Sequence, residues 1–352
     1  MNISLTKDFE VSNYGTPYII AELGSNHNGD MDLARKLIEQ AKQAGADCVK
    51  FQSWSKDTIF AKKVYKENYF LADDYRDRTD YTLEEIVDEY SISENELMQM
   101  KELCDEVQID CTSTPFAKQE VDFLVDKLNT PFIKVASMDL NNYPFLEYLA
   151  SKGKPVVLST GLSSLAEIDK AVETIESTGN TQIVILHCVS LYPPDDSMVH
   201  LNKMLTLRQN YGYPIGFSDH TLGTSIPLAS VALGACLIEK HFTLDKNMPG
   251  WDHKVSADFE EMKTICEQSK RIQKSLGSSR IQSVEDHDRK MAFRRSIVIT
   301  KDLKAGHKLS RDDLDFKRPG SGISPEYLSF ILGREIKQDL EADHVLDKED
   351  LV

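Results

Sequence analysis

A chain of 352 residues with 41% hydrophobic residues has room for one large domain and a small one. Its formal net charge of −16 argues against general nucleic-acid binding, so an anionic ligand would need a local basic pocket. No apolar run approaches the ~20 residues of a membrane span, the opening MNISLTKDFE has no secretory core, and six cysteines scattered without a C-x-x-C pair read as reduced thiols in the cytoplasm.

In chain order, short apolar runs alternate with helix-period stretches. The runs are PYIIAEL (17–23), DCVKFQ (47–52), DCTSTP (110–115), FIKVAS (132–137), PVVLST (155–160), IVILHC (183–188), PIGFSD (214–219) and LIEKHF (237–242). DLARKLIEQAKQAGA (32–46) and LAEIDKAVETIES (165–177) are examples of the amphipathic stretches between them. Near-continuous apolar strands separated by helices predict a parallel sheet, and eight units in about 270 residues predict a (β/α)8 TIM barrel. A doubly wound open sheet is the structural alternative. Residues 53–93 are too many for a plain connection and predict an excursion over the top of the barrel. The barrel domain is assigned to 1–275 and a polar linker to 276–290, leaving 291–352 as a small β-rich domain. That domain carries a repeat, KDLKAGHKLSRDDL (301–314) against QDLEADHVLDKEDL (338–351), which predicts two related halves.

Barrel chemistry occurs at the C-terminal ends of the strands. Those ends carry Glu22, Lys50 with Gln52, Ser113 with Thr114, Lys134 with Ser137, Ser159 with Thr160, His187, Ser218 with Asp219 and His220, and Glu239 with His241. A barrel that needed only stability would not place polar groups at nearly every end. The period of two puts Glu239 and His241 on one face. Lys50 and Lys134 lie in apolar strands, where a lysine needs an anionic partner. With the hydroxyls they form a phosphate or carboxylate cradle, or else they pair only with Glu22 and Glu239. His220 and His241 close consecutive strand runs and can converge on one divalent metal. His187 reads as a packed group behind the site, and His27 as either a turn residue or a substrate contact.

The motifs IIAELGSNHNGD, GADCVKFQ, STPF, IKVAS, LSTG, LHCVSLYP, IGFSDHT, IEKHFTLDK and FRRSIV…KRPGSGI together resemble the sialic acid synthase family, in order and over nearly the whole chain. The resemblance implies condensation of phosphoenolpyruvate with an N-acylated six-carbon sugar, giving a nine-carbon 2-keto-3-deoxy acid and phosphate. It also implies that the small domain is antifreeze-like (SAF, β-clip) and that the protein is a domain-swapped homodimer. Carried over position by position, Mn2+ (or Mg2+ or Co2+) falls to His220 and His241. Phosphoenolpyruvate falls to Lys50, Thr114, Lys134, Ser137, Ser159 and Ser218, and acid–base work to Glu22 and Glu239. The sugar falls to Asp139, Tyr192, Asp252 and Arg318, with Asp80 of the excursion a further contact. The sequence departs from the family on the sugar side. It reads Ser137-Met138-Asp139 where many members have S-G-E, Ser190 in place of an asparagine, and Trp251 in place of a proline.

Two other readings stand beside this one. A Schiff-base aldolase acting through Lys134 or Lys50 explains the lysines but gives the paired histidines no work. A non-catalytic carbohydrate-binding protein would need neither.

Overall fold

All eight apolar runs form strands. In the structure, a computed structural model that describes residues 1–67 and 82–352, they are β3 to β10; Asp80 lies outside the described residues. An unforeseen antiparallel hairpin, β1 (Asn2–Ser4) and β2 (Glu10–Ser12), precedes them. The barrel strands are β3 (Tyr18–Gly24), β4 (Cys48–Ser53), β5 (Asp110–Pro115), β6 (Ile133–Val135), β7 (Val156–Ser159), β8 (Ile183–Cys188), β9 (Ile215–Asp219) and β10 (Leu237–His241).

The sheet is parallel, in the order β5-β4-β3-β10-β9-β8-β7-β6, an almost closed barrel. The ladder is interrupted between β5 and β6. There the Thr112 and Thr130 hydroxyls lie 2.7 Å apart, and both reach the Phe132 carbonyl, at 3.1 and 2.9 Å. Side-chain hydroxyls therefore satisfy backbone that a strand pair would otherwise satisfy.

Alternation along each strand divides the molecule into an interior and a helix-facing layer. Ile19, Ala21, Val49, Phe51 and Ile238 pack outward with the helices Met31–Ala44 and Phe259–Leu276. Ile20, Cys48, Val157, Val184, Leu186 and Leu237 fill the lower interior, and Ile3, Leu5 and Val11 of the β1–β2 segment join that cluster. The hairpin thus supplies apolar material to the closed end of the barrel. Local chemistry sets the helix ends. Asp30 accepts from the Asp32 and Leu33 amides, and Gly45 takes the left-handed conformation at φ 95° that ends the turn. Ser164 and Glu167 form a capping box that starts Leu165–Ser177, the stretch read from periodicity.

A second compact unit covers Ser278–Val352. The helix His287–Phe293 starts inside the stretch read as linker, because Asp286 caps it by accepting from the Arg289 amide. Strands β11 (Ser296–Ile299) and β12 (Leu314–Lys317) pair antiparallel. The repeat is reproduced bond for bond. Leu303 and Leu340 exchange both backbone bonds, at 2.8 and 2.9 Å. The Asp339 carboxylate accepts from the Ala305 amide (3.0 Å), and Asp302 accepts from Ala342 (2.8 Å). His307 meets the buried Asp313 at 3.0 Å, as His344 meets Asp350 at 2.8 Å.

Burial would raise the Asp313 and Asp350 carboxyls. Bonds from Lys301, Ser310 and His307 to Asp313, and from the Asp347 amide, His344 and Gln338 to Asp350, outweigh it and hold both below the usual range. Each therefore contributes stability that is complete above the unfolded value of about 3.9 and is lost as pH falls through the lower folded value. Calorimetry of the full chain from neutral pH down to about pH 3 should show the melting temperature falling. The fall should be shallower in Asp313→Asn and Asp350→Asn, both less stable than the parent at neutral pH. Parallel pH curves for parent and variants would contradict the assignment.

Candidate active site

The upper interior of the barrel is polar. Register places Glu22 of β3 beside Lys50 of β4, and Glu239 of β10 beside Ser218 of β9. The Lys50 ammonium lies 2.5 Å from Glu22 and 3.8 Å from Glu239, and donates to Thr114 Oγ1 at 2.8 Å. Lys134 lies 3.6 Å from Glu239 and donates to Ser159 Oγ (2.7 Å) and the Val135 carbonyl (3.1 Å). Ser218 donates to Glu239 at 3.1 Å. Seven strands thus bring two lysines, two glutamates and three hydroxyls into one buried network. The two lysines meet carboxylates and hydroxyls together.

The two glutamates are driven apart. Burial raises Glu22 to about 7; Lys50 opposes this and the Glu239 charge adds to it. Burial pushes Glu239 upward as well, but Lys134 and Lys50 together hold it below the ordinary range. Carboxylates with such different environments suit one acid and one base. Burial lowers Lys134, while Glu22 and Glu239 overcome the same effect at Lys50 and raise it. Gln52, which the sequence reading left without a role, donates to Glu22 at 2.9 Å and so fixes its orientation.

His220 and His241 stand with ring centroids 5.7 Å apart, and the Tyr192 ring lies 4.0 Å from His220 and 6.1 Å from His241. A carbonyl can only accept, so the 2.8 Å bond from His220 Nδ1 to Val189 O is a donation by the ring. Burial would lower this ring, but Cys188, the Val189 carbonyl and Asp219 outweigh it and raise it to about 8, so Nε2 becomes a ligand only on losing its proton. His241 Nδ1 is buried with no hydrogen-bond partner, and burial followed by the charges of His220 and Lys50 keeps the ring neutral. A neutral imidazole with an unused nitrogen is the ligating form. Among the described residues no group of three His, Cys, Asp or Glu forms a metal site.

Asp219 does not join them. It faces the other side of its strand, where Lys240 donates to it at 2.7 Å. His187 also faces outward, bonded to the Val199 carbonyl at 2.7 Å. His27 serves its turn, Nδ1 accepting from the Gly29 amide at 3.1 Å, and burial lowers it to about 4. Ser137 accepts from the Gly161 amide at 3.0 Å. A Cβ on Gly161 would lie 2.7 Å from Ser137 Oγ and 2.4 Å from Ser190 Oγ, so only glycine admits this approach. Beside the network is a cavity of about 490 Å³ whose lining includes Gln52, Tyr192, His241 and Asp252. Burial raises Asp252 to about 6, against the pull of His220 and Lys50. Met138 lines this cavity, whereas Asp139 accepts from Asn142 at 3.2 Å.

Arg318 is exposed in the second unit, its guanidinium 5.0 Å from the Phe293 ring centroid. Gly320 and Gly322 do approach other surfaces closely, but these are within the same unit. The Gly320 amide donates to Met291 O at 2.6 Å, and a Cβ on Gly322 would lie 2.6 Å from Leu346 O.

A barrel with this polar mouth, followed by a two-fold repeated β unit, defines a class of synthases. The chain belongs to the NeuB family, which matches residues 37–281, and residues 294–352 match the SAF domain. It is 39% identical to the N,N'-diacetyllegionaminic acid synthase of Legionella pneumophila, over 94% of this chain and 93% of that protein. It is 31% identical to a pseudaminic acid synthase of Campylobacter jejuni, over 97% and 99%. The crystal structure of the N-acetylneuraminic acid synthetase of Leptospira borgpetersenii superposes with a TM-score of 0.73, at 31% identity, covering 82% of this chain and 94% of that one.

Removing Lys50 would leave two buried carboxylates without their shared cation. Lys50→Met should cost about 3–5 kcal/mol in denaturant unfolding, and adding Glu22→Gln should recover part of the loss. Parent-like stability of the single variant would show that the pairing contributes nothing net.

Proposed function

We propose that this protein is a cytoplasmic, metal-dependent transferase that condenses phosphoenolpyruvate with an N-acylated six-carbon sugar and water. The products are a nine-carbon 2-keto-3-deoxy acid of the sialic-acid type and phosphate. The observation that carries this reading is the Lys50–Lys134 pair, buried, facing inward and ringed by hydroxyls in a strongly acidic chain. The names of the relatives support it. Absence of phosphate release from phosphoenolpyruvate with every N-acylated hexosamine tested would refute it.

In this reading Lys50 with Thr114, and Lys134 with Ser159, grip the phosphate and carboxylate of phosphoenolpyruvate. Ser137 and Ser218 complete the cradle. The incoming anion would share the lysines with Glu22 and Glu239, so both carboxylates stay beside the reacting atoms for proton handling. Held there, C3 of the enol faces the open-chain aldehyde and attacks its carbon, while water adds at C2 and phosphate leaves by C–O cleavage. Glu239, held ionised by the lysines, is suited to take the proton of that water. Glu22, raised toward neutrality, is suited to give one to the former aldehyde oxygen. Tyr192, Asp252 and, by resemblance, Asp139 bind the sugar. Mn2+, Mg2+ or Co2+ on His220 and His241 would supply Lewis-acid polarisation of the carbonyl. The lowered Lys134 favours a second reading, a Schiff-base aldolase. Borohydride trapping of a pyruvate adduct would establish that reading.

The donor set predicts that His241→Ala retains the fold by circular dichroism but loses bound divalent metal, measured by elemental analysis, together with phosphate release. Full activity of chelator-treated protein without added metal would remove the cation from the mechanism.

Arg318, carried by the SAF domain, is proposed to complete the sugar end of the site in a domain-swapped homodimer. Mixing Arg318→Ala with His241→Ala should then restore activity, because a mixed dimer has one site with an intact barrel and an intact arginine. Demonstrated subunit exchange without recovery would mean that Arg318 serves its own barrel or none.

A further inference from the structure

Asp219 and Lys240 form an ion pair that the chemistry above leaves unused. Both are almost wholly buried, with their charged groups 2.7 Å apart. They lie on the helix-facing side of β9 and β10, where the preceding outward positions are Phe217 and Ile238, both in apolar clusters. Apolar side chains would fill such a place with little loss of stability, since a buried ion pair seldom outweighs its own desolvation. What an ion pair adds there is a defined geometry.

Placement shows what that geometry holds. Lys240 stands between Glu239 and His241 in the chain, and Asp219 between Ser218 and His220. The ladder from β10 to β9 ends at Lys240 opposite Asp219, and that from β8 to β9 ends at Cys188 opposite Ser218, so His220 lies beyond both. His241 is held more firmly, because it pairs with Glu22 of β3 and its carbonyl accepts from the Ala257 amide at 2.7 Å. The Lys240 ammonium carries that fixed position across to the neighbouring strand. It donates to Asp219 Oδ2 at 2.7 Å and to the Thr221 carbonyl at 2.6 Å, and the Thr221 amide donates to Asp219 Oδ1 at 2.9 Å. Both chain neighbours of His220 are therefore tied to the residue beside His241. The His220 ring has a further tie in the Val189 carbonyl.

We infer that Lys240 and Asp219 are positioning residues that set the separation of the His220 and His241 rings, and with it the affinity of the site for a divalent cation. The rings face the barrel interior and the pair faces the helices, so it acts through the backbone between them. The inference rests on the metal reading above. Its test combines Asp219→Asn with Lys240→Met, which removes both charges together and leaves no ion buried without a partner. Full-length parent and double variant are compared without substrate, Mn2+ binding being followed by loss of the free-ion EPR signal and Co2+ binding by visible absorption. The double variant should unfold near the parent's midpoint, bind Mn2+ about tenfold to a hundredfold more weakly, and give an altered Co2+ spectrum. Its affinity for phosphoenolpyruvate, measured by calorimetry, should match the parent's, because Lys50 and Lys134 stand on β4 and β6. Parent-like Mn2+ affinity in the folded variant would overturn the assignment. So would an equal fall in phosphoenolpyruvate affinity, or failure to fold, since either would mean that the pair holds the barrel as a whole. If the parent itself binds neither ion, the metal reading fails separately. Nuclear magnetic resonance of 15N-histidine-labelled protein then decides the spacing. The His220 Nδ1 proton, bonded to Val189, should exchange faster with solvent in the double variant, and an unchanged rate refutes the positioning role.

Discussion

Four charges inside the barrel constrain everything else. Glu22, Lys50, Lys134 and Glu239 are nearly inaccessible, and such ions persist only when each has a partner within reach. Partnership requires register. Glu22 must lie opposite Lys50, and Glu239 must reach two lysines from a strand that neighbours neither of theirs. A one-residue slip in β4 or β10 would turn an ion into the helix layer and an apolar side chain into the mouth. The apolar plug beneath, with its N-terminal hairpin, holds the strands at that register and leaves the polar layer open at the opposite end.

The same alternation explains why so much could be read in advance. A strand buried on both faces is an apolar run, and an inward-facing polar residue near its end interrupts the run visibly. Hence the eight strands, the barrel, and the meeting of Lys50, Lys134, Glu22 and Glu239 were all legible. The faces were less so. Ser113 and Asp219 sit beside site residues in sequence, but they point outward, Ser113 to Ser53 at 2.6 Å and Asp219 to Lys240. Their polarity looked like site chemistry, and only the period of two separates it.

What stayed hidden depends on contacts between residues far apart in the chain. The β1–β2 hairpin is six strand residues with weak patterning, and its apolar side chains matter only once the barrel offers an end to cover. The seam between β5 and β6 rests on two threonines that look like ordinary strand residues. Trp251 was visible as a departure from a pattern. Its partners, Trp54 and Tyr90, come from a segment whose fold could not be deduced from composition. The glycines of KRPGSGI announced close approach without saying to what, and the surfaces prove to be Met291 and Leu346 of their own unit.

The two glutamates show how position on one ring of strands differentiates identical side chains. Both are buried, and burial alone would raise both. Glu22 has one lysine and a neutral amide; Glu239 has two lysines and a hydroxyl. That extra cation reverses the sign of the shift, so the pair separates without any difference in chemistry. The separation depends on where Lys134 stands. β6, which carries it, is the shortest barrel strand at three residues, and its ladder runs to β7 alone. Its other edge is the seam held by Thr112 and Thr130, whose hydroxyls reach the Phe132 carbonyl two residues before Lys134. A feature that looks like an imperfection in the barrel is thus the anchor of the lysine that makes Glu239 differ from Glu22.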